Sequence, residues 1–299
     1  TPTSFGRNYH YNGSSRIVGQ LEYAIIDEQC NDLHDLARQY NVGYDALLNA
    51  NPQLNKDSEL ETGMLVYIPN KIIVPKKLNP YTVYIILVEK RLFFYEANQN
   101  NLLVFPVGVG RIDHPSPTGH MHVTQKRYKP TWNVPKGVLA EAHANGYTDH
   151  PAIMPPGPDN PLGDYAVHLS ARTYLIHSTH NPDLIGTRNT SGCINLYPEH
   201  LAILYKKIAV KTPIEIFNTP LKVTMVNHTI YAERYPTMHE TTADQSSHSQ
   251  QSRITADTHR IMTLYEKYHY ISPSDNDPVD KLDQILHTHL GHPIAVLTT

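Results

Sequence analysis

The sequence predicts an α+β multidomain protein, with a small βααβ unit over residues 21–70 and a mainly antiparallel β domain over 80–218. An N-terminal segment over 1–20 precedes them, and a β-hairpin subdomain over 219–240, a linker over 241–252 and a helical tail over 253–299 follow. Three observations carry this. Apolar residues around Leu36 recur at helical spacing between two short apolar runs. The stretch beyond Tyr81 is a succession of β-branched and aromatic runs parted by polar turns. A Ser/Thr/Gln-rich stretch sets the end of the chain apart. At 299 residues there is room for two or three units, each burying its own core.

The first unit opens with Glu22-Tyr23-Ala24-Ile25-Ile26, short and apolar enough for a strand. Leu33, Leu36, Ala37 and Tyr40 then mark a helix that Asn41-Val42-Gly43 breaks, and Asp45 to Asn49 forms a second short helix stopped by Asn51-Pro52. Gly63-Met64-Leu65-Val66-Tyr67-Ile68-Pro69 closes the unit as a strand ended by proline. Leu33, Leu36-Ala37, Tyr40-Asn41-Val42, Leu47-Leu48, Asn51-Pro52, Gly63 and Leu65 to Pro69 together resemble a LysM module. That resemblance implies binding of N-acetylglucosamine-containing glycans. The usual Gly-Asp-Thr of such modules is here Asp27-Glu28-Gln29.

In the second unit, Val83 to Val88, Arg91 to Tyr95 and Leu102 to Val109 read as strands. One helix is expected from about Pro198 to Ile208, before Pro213 to Phe217 returns to strand. Val223–Val226 and Thr229–Tyr231 suit a hairpin. In the tail, Ile254, His259 to Met262 and Leu264-Tyr265 suit one helix, and Val279 to Leu290, opened by Asp277-Pro278, another.

Composition narrows the function. A hydrophobic fraction of 40% and a charged fraction of 18% are ordinary for a globular chain. No run approaches the roughly 18 apolar residues needed to cross a bilayer, so an integral membrane protein is not expected. The 25 basic and 28 acidic side chains give a net charge of −3 without long blocks, which speaks against nucleic acid as partner. Cys30 and Cys193 are the only cysteines, too few for a disulfide framework or a thiolate-rich zinc site, and no metal or cofactor is expected. The opening Thr1-Pro2-Thr3-Ser4-Phe5 lacks the charged region and apolar core of a secretory signal, as in a cytosolic protein or an exported one already processed.

The richest chemistry lies between Tyr174 and His200. A thiol is a useful nucleophile only as thiolate, and needs an imidazole or a helix N-terminus nearby. Cys193 follows the small polar turn Thr190-Ser191-Gly192 and precedes the Pro198 helix, while His177 ends an apolar strand 16 residues earlier (193 − 177). With 19 histidines in the chain, that spacing proves little by itself; His180 is a rival base, and a free cysteine is often only a small buried hydrophobe. Cys30 has no such surroundings and reads as structural or incidental.

The surrounding residues supply the specificity. Ile176-His177-Ser178-Thr179, Ile185-Gly186 and Thr190-Ser191-Gly192-Cys193-Ile194-Asn195-Leu196 resemble the signature of the YkuD-type L,D-transpeptidases. Pro117-Thr118-Gly119, Pro130-Thr131-Trp132, the Pro155 to Gly163 run and Tyr165-Ala166 extend the resemblance over about Tyr81 to Val226. It most resembles the branch that pairs a LysM module with this domain.

The resemblance implies that Cys193 attacks the donor stem peptide and His177 takes the thiol proton, with the Ser178 carbonyl orienting the imidazole. Backbone N–H groups of Gly192 and Cys193 would form an oxyanion hole. Asn195, Ser191, Thr179, Trp132 and Gly157 are expected to touch substrate. Asn195 stands where much of the family has Arg and some members have Asn, a side chain that could fix the turn or hold substrate, and Ser191 stands where many have His or another larger side chain.

The implied activity is acyl transfer on peptidoglycan tetrapeptide stems in the periplasm, through a thioester that carbapenems also target. An amine of another stem would give a 3→3 cross-link, an outer-membrane lipoprotein or other envelope protein would become anchored, and water would make the enzyme an L,D-carboxypeptidase. A LysM-type wall-binding protein with a weak or vestigial site is the alternative that the Asn195 and Ser191 departures motivate. A papain-like hydrolase is the third, and the local papain-type sequence around the cysteine is absent.

Overall fold

A computed structural model describes residues 6–236, except 31, 148, 150 and 172, together with 291–298. The first strands are β1 (Arg7–His10), β2 (Ile17–Val18) and β3 (Glu22–Ile25), followed by α1 (Leu33–Gln39), α2 (Tyr44–Ala50), β4 (Leu65–Ile68) and β5 (Ile72–Ile73). Strands β3 and β4 pair antiparallel with Ala24 opposite Val66, so residues 22–68 form a βααβ unit in the expected order. Asp32 caps α1 by accepting from the His34 and Asp35 N–H groups, both at 2.8 Å. Asn51 does more than end α2. Buried, it donates to the Leu47 and Tyr67 carbonyls at 2.8 and 2.7 Å and accepts from Tyr67 N at 2.8 Å, tying helix to strand. Ala24, Ile26, Leu33, Leu36, Ala37, Leu47, Val66 and Ile68 make a separate small core there.

The large domain contains β6 (Val83–Ile86), β7 (Arg91–Glu96), β8 (Asn101–Pro106), β9 (Val109–Gly110), β10 (Gly119–Tyr128) and β11 (Trp132–Asn133). Then come α3 (Lys136–Ala144), β12 (Ile153–Met154), β13 (Tyr165–Leu169), β14 (Leu175–Ser178), β15 (Arg188–Thr190), β16 (Ile194–Leu196), α4 (Pro198–Lys207) and β17 (Pro213–Phe217). Nine strands form one sheet in the order β1-β8-β7-β6-β17-β10-β13-β14-β16. It is antiparallel except for the parallel pairs β6/β17 and β14/β16. Leu201 and Leu204 of α4 bury against the main core with Val167, Ile176 and Ile194.

Three features differ from expectation. Part of the N-terminal segment belongs to the large sheet, because β1 covers the free edge of β8. The helix α3 was not expected. Its Gly-Val-Leu-Ala-Glu-Ala-His-Ala run favours helix by composition, but none of its residues is buried, so no apolar stripe marks it in the sequence. At the end of the chain, β20 (Ile294–Thr298) is a strand where the helical tail was predicted; it joins β18 (Leu221–Val226) and β19 (Thr229–Arg234) in a three-stranded sheet. The free edge of β19 supplies backbone partners that outweigh any helical preference of so short a run. The expected linker at 241–252 and the expected helices between 254 and 290 lie outside the described residues. Among the described residues no helix is long and apolar enough to cross a membrane.

The units are joined in two places. The βααβ unit sits on the large domain through Arg38–Glu199 at 3.0 Å, Lys90–Asp45 at 2.9 Å and His200 Nε2 donating to Asn41 Oδ1 at 2.7 Å. The β18–β19 hairpin is joined by a buried ionic cluster. Lys222 Nζ lies 2.8 Å from Glu89 and 3.0 Å from Glu233, and Arg91 Nη1 donates to Glu233 Oε1 at 3.0 Å. Ile73 N and Tyr235 Oη donate to the same Glu233 carboxylate at 2.6 Å, Lys222 donates to the Ile73 carbonyl, and Arg91 Nη2 to that of Pro69 at 3.2 Å.

Burial opposes the charge on Glu233, but Lys222 and Arg91 outweigh it and hold its carboxyl below the usual range. The Glu89 carboxyl is instead pushed up by burial, with Lys222 only partly offsetting it. Removing one member strands the others without compensation. Glu233→Gln is therefore expected to destabilise the protein by about 3–5 kcal/mol, seen as a lower urea midpoint for the loss of β18–β19 protection in hydrogen exchange. An unchanged midpoint would show the cluster to be energetically idle.

Candidate active site

The site is built on β14 and β16. They run parallel with Ile176 opposite Ile194 and His177 opposite Asn195, so the two isoleucines point into the core and His177 and Asn195 share the other face. Cys193 immediately precedes β16, which sets it beside the start of β14. His177 is 8% exposed. Its Nδ1 lies 2.6 Å from the Ser178 carbonyl oxygen. A carbonyl only accepts, so Nδ1 carries the proton and Nε2 of the neutral ring is left as the basic nitrogen. Ser178 is fully buried; its hydroxyl accepts from Tyr165 N at 3.0 Å and donates to the Leu162 carbonyl at 3.1 Å, which fixes the residue that orients the imidazole.

The cysteine sits in a turn held by Thr190. Thr190 Oγ1 donates to the Cys193 carbonyl at 2.6 Å and accepts from Gly192 N at 3.2 Å. Gly192 has φ +101°, and a Cβ there would lie 2.5 Å from the Tyr174 ring, so only glycine makes this turn without displacement. The Gly192 N–H expected to serve an oxyanion is thus already donated to Thr190. Of the two amides expected, the Cys193 N–H is the one this turn does not engage.

Burial pushes the half-buried Cys193 thiol above its usual value, with the Leu175 amide acting in the opposite direction. Burial also lowers His177 to about 4, against the bond to Ser178 and with help from His180. Both groups are neutral at pH 7, and among the described residues no hydrogen bond joins them. The two side chains therefore form no standing ion pair. Such contacts are commonly loose without substrate and tighten once it binds.

The other expected substrate contacts are scattered. Asn195 is 3% exposed, with Nδ2 donating to Asn189 Oδ1 at 3.3 Å, so it braces the loop before the cysteine instead of facing solvent. Thr179 is buried and turned onto its own loop, where Oγ1 donates to the Asn181 carbonyl at 3.1 Å. Ser191 is exposed beside Cys193. Trp132, half-buried, pairs with Met154 where β11 meets β12, and Gly157 lies on the exposed 155–159 stretch.

Two asparagines that are not among the expected site residues shape the surroundings. Asn160, 1% exposed, donates to the Pro130 carbonyl at 2.9 Å and that of Pro155 at 3.1 Å, closing the proline-rich loop. Asn189 donates to the Leu184 carbonyl at 2.5 Å and to Thr187 Oγ1 at 2.9 Å. Asparagine is common in loops, and only the partners reveal its role.

Residues 80–216 match the family model of the L,D-transpeptidase catalytic domain. The probable L,D-transpeptidase YcfS of Escherichia coli K12 is 35% identical over 213 residues, 70% of this chain and 66% of that protein. YbiS of the same strain is 34% identical, with 70% and 68% covered, and ErfK/SrfK is 33% identical, with 70% and 67% covered. The chain belongs to the L,D-transpeptidase family. It spans about two thirds of the length of these curated relatives. His177 and Cys193 both fall inside the matched domain.

The buried ring has a measurable consequence. Titration of His177 followed by NMR in the full chain is expected to show a midpoint of about 4, well under 6.5. The folded state holds the ring neutral while the unfolded ring takes up a proton below 6.5, so this residue's contribution to stability is present above 6.5 and is lost as pH falls toward 4. A midpoint near 6.5 would mean that the ring is open to water.

Proposed function

We propose that the chain transfers an acyl group from a peptidoglycan tetrapeptide stem to an amine through a thioester on Cys193. The observation that supports this best is the pairing of β14 with β16, which sets a neutral imidazole with a free Nε2 on the strand beside the cysteine turn. The thiol attacks the carbonyl of the L-centre of diaminopimelate as His177 Nε2 takes its proton. The tetrahedral oxyanion is met by the Cys193 N–H, and its collapse breaks the peptide bond. His177 returns the proton to the leaving D-alanine amine. An incoming amine then attacks the thioester, gives its proton to His177, and leaves with the acyl group as Cys193 recovers its thiol.

The acceptor of this reading is the D-centre of a second diaminopimelate, giving a 3→3 cross-link, or an envelope protein, which would be attached to the wall. The periplasm is the compartment that fits such a substrate. We read the βααβ unit as a LysM-type module that holds the enzyme on glycan; its residue order and its fastening by Asn51 support this.

The test uses the full chain. Incubation with a carbapenem is expected to add one drug mass to the peptide containing Cys193, and Cys193→Ala to abolish the adduct. His177→Ala is expected to slow acylation by about 10²–10⁴-fold. Disaccharide tetrapeptide offered with candidate amines is expected to yield an amide product, identified by mass. Folded protein that forms no adduct would favour a wall-binding role with a vestigial site, and release of D-alanine without an amide product would make it a carboxypeptidase.

A further inference from the structure

The chain that returns from β14 to Cys193 is gripped from both sides. On its outer side, the Gly186 carbonyl accepts from Asp45 N of the βααβ unit at 3.2 Å. The two backbones touch at glycines: a Cβ on Gly186 would lie 2.2 Å from Tyr44 N and 2.4 Å from Gly43 Cα, and one on Gly43 would lie 3.1 Å from Gly186 Cα. On its inner side, Asn189 accepts from Asn195, two residues beyond the cysteine. A closed circuit of contacts fixes the outer grip. Asp45 N donates to Gly186 O, Gly186 N to Val107 O at 3.2 Å and Val107 N to Lys90 O at 2.8 Å, while Lys90 Nζ pairs back with Asp45 at 2.9 Å.

The loop has little regular structure of its own. It contains one short 3₁₀ turn, Pro182–Leu184, and the brief pairing of β15 with β9. Its own bonds are few and short-range, Thr187 N and Asn189 Nδ2 both donating to the Leu184 carbonyl, so its shape also depends on what it leans on. The catalytic domain holds it through Val109 N to the Thr187 carbonyl at 3.1 Å and Arg111 N to that of Thr190 at 2.9 Å, and the N-terminal unit closes its outer side.

We propose that the N-terminal βααβ unit is a positioning element of the catalytic centre, holding the 184–190 loop through Gly43 to Asp45 so that Cys193 is presented for attack. This rests on Cys193 being the acylated residue. Glycan binding by the unit and geometry at the cysteine are then mechanically linked, because one small body serves both. Lifting the unit off the loop slows the chemical step and leaves binding of the stem peptide intact.

The full chain carrying Gly43→Leu tests this, since the wedge enters from the N-terminal unit and leaves the amino-acid sequence of the catalytic domain unchanged. Expected are a kcat for acyl transfer lower by about tenfold to a hundredfold, a KM for the stem peptide within about twofold, and faster amide hydrogen exchange over 186–190. Asp45→Lys is expected to act in the same direction, and Asp45→Lys combined with Lys90→Asp to recover most of the loss, the ion pair being restored in reverse.

Ile25→Ser, on the exposed face of the unit, is expected to change neither rate nor exchange. The proposal is overturned if exchange rises at 43–47 in Gly43→Leu while kcat and exchange at 186–190 stay at wild-type values. It is also overturned if the loss resides wholly in KM, or if the charge reversal brings no recovery. A wild-type chain that is never acylated on Cys193 would instead defeat the underlying reading, and the exchange comparison would still decide whether the unit holds the loop.

Discussion

The parallel pairing of β14 with β16 is the constraint from which the site follows. Antiparallel neighbours can be joined by a tight turn, but parallel ones need a long connection that leaves one end of the sheet and returns at the other. Here that connection is the stretch between Ser178 and Ile194, and it carries the cysteine at its far end. The imidazole is therefore fixed by a strand, while the thiol depends on a loop. The loop is stabilised by side-chain to main-chain bonds from Thr190 and Asn189, by Asn195 beneath it and by the N-terminal unit against its outer side.

A second constraint is electrostatic. Glu89, Arg91, Lys222 and Glu233 are buried together, two acids against two bases, where any excess charge would be costly. Their bonds to Pro69 and Ile73 bring in the segment after the βααβ unit, so three separate stretches of the chain meet at one buried knot. Such clusters add little net stability over apolar packing, but they penalise every arrangement in which one member lacks its partner.

The sequence made some of this legible and hid the rest for physical reasons. The βααβ unit was readable because Leu33, Leu36 and Leu47 face a core and so must recur with the helix, and because Asn51-Pro52 punctuates it. Cys193 and His177 stood out through an ordered run of neighbours, the pair alone being unremarkable among 19 histidines. Helix α3 was hidden because it buries nothing, and β1 because a four-residue edge strand of Arg-Asn-Tyr-His carries no clear alternation. For Asn195 the sequence leaves two roles open, fixing the turn or holding substrate, and its burial against Asn189 is a contact that only the fold displays. The ionic cluster had no local signal, since its members are up to 144 residues apart, the separation between Glu89 and Glu233 (233 − 89).

The hairpin sheet holds one more consequence. Gly291 N donates to the Arg234 carbonyl at 3.4 Å, and the Gly291 carbonyl oxygen lies 2.9 Å from Tyr235 Oη, so Gly291 sits beside Arg234 and Tyr235. The register of β18, β19 and β20 is held by residues 221–235 and 291–298 themselves, with Ile230 facing Leu297 and Ala232 facing Ile294. Two stretches far apart in the chain thus close one small sheet, and the ionic cluster at Glu233 anchors both of them to the large domain at once.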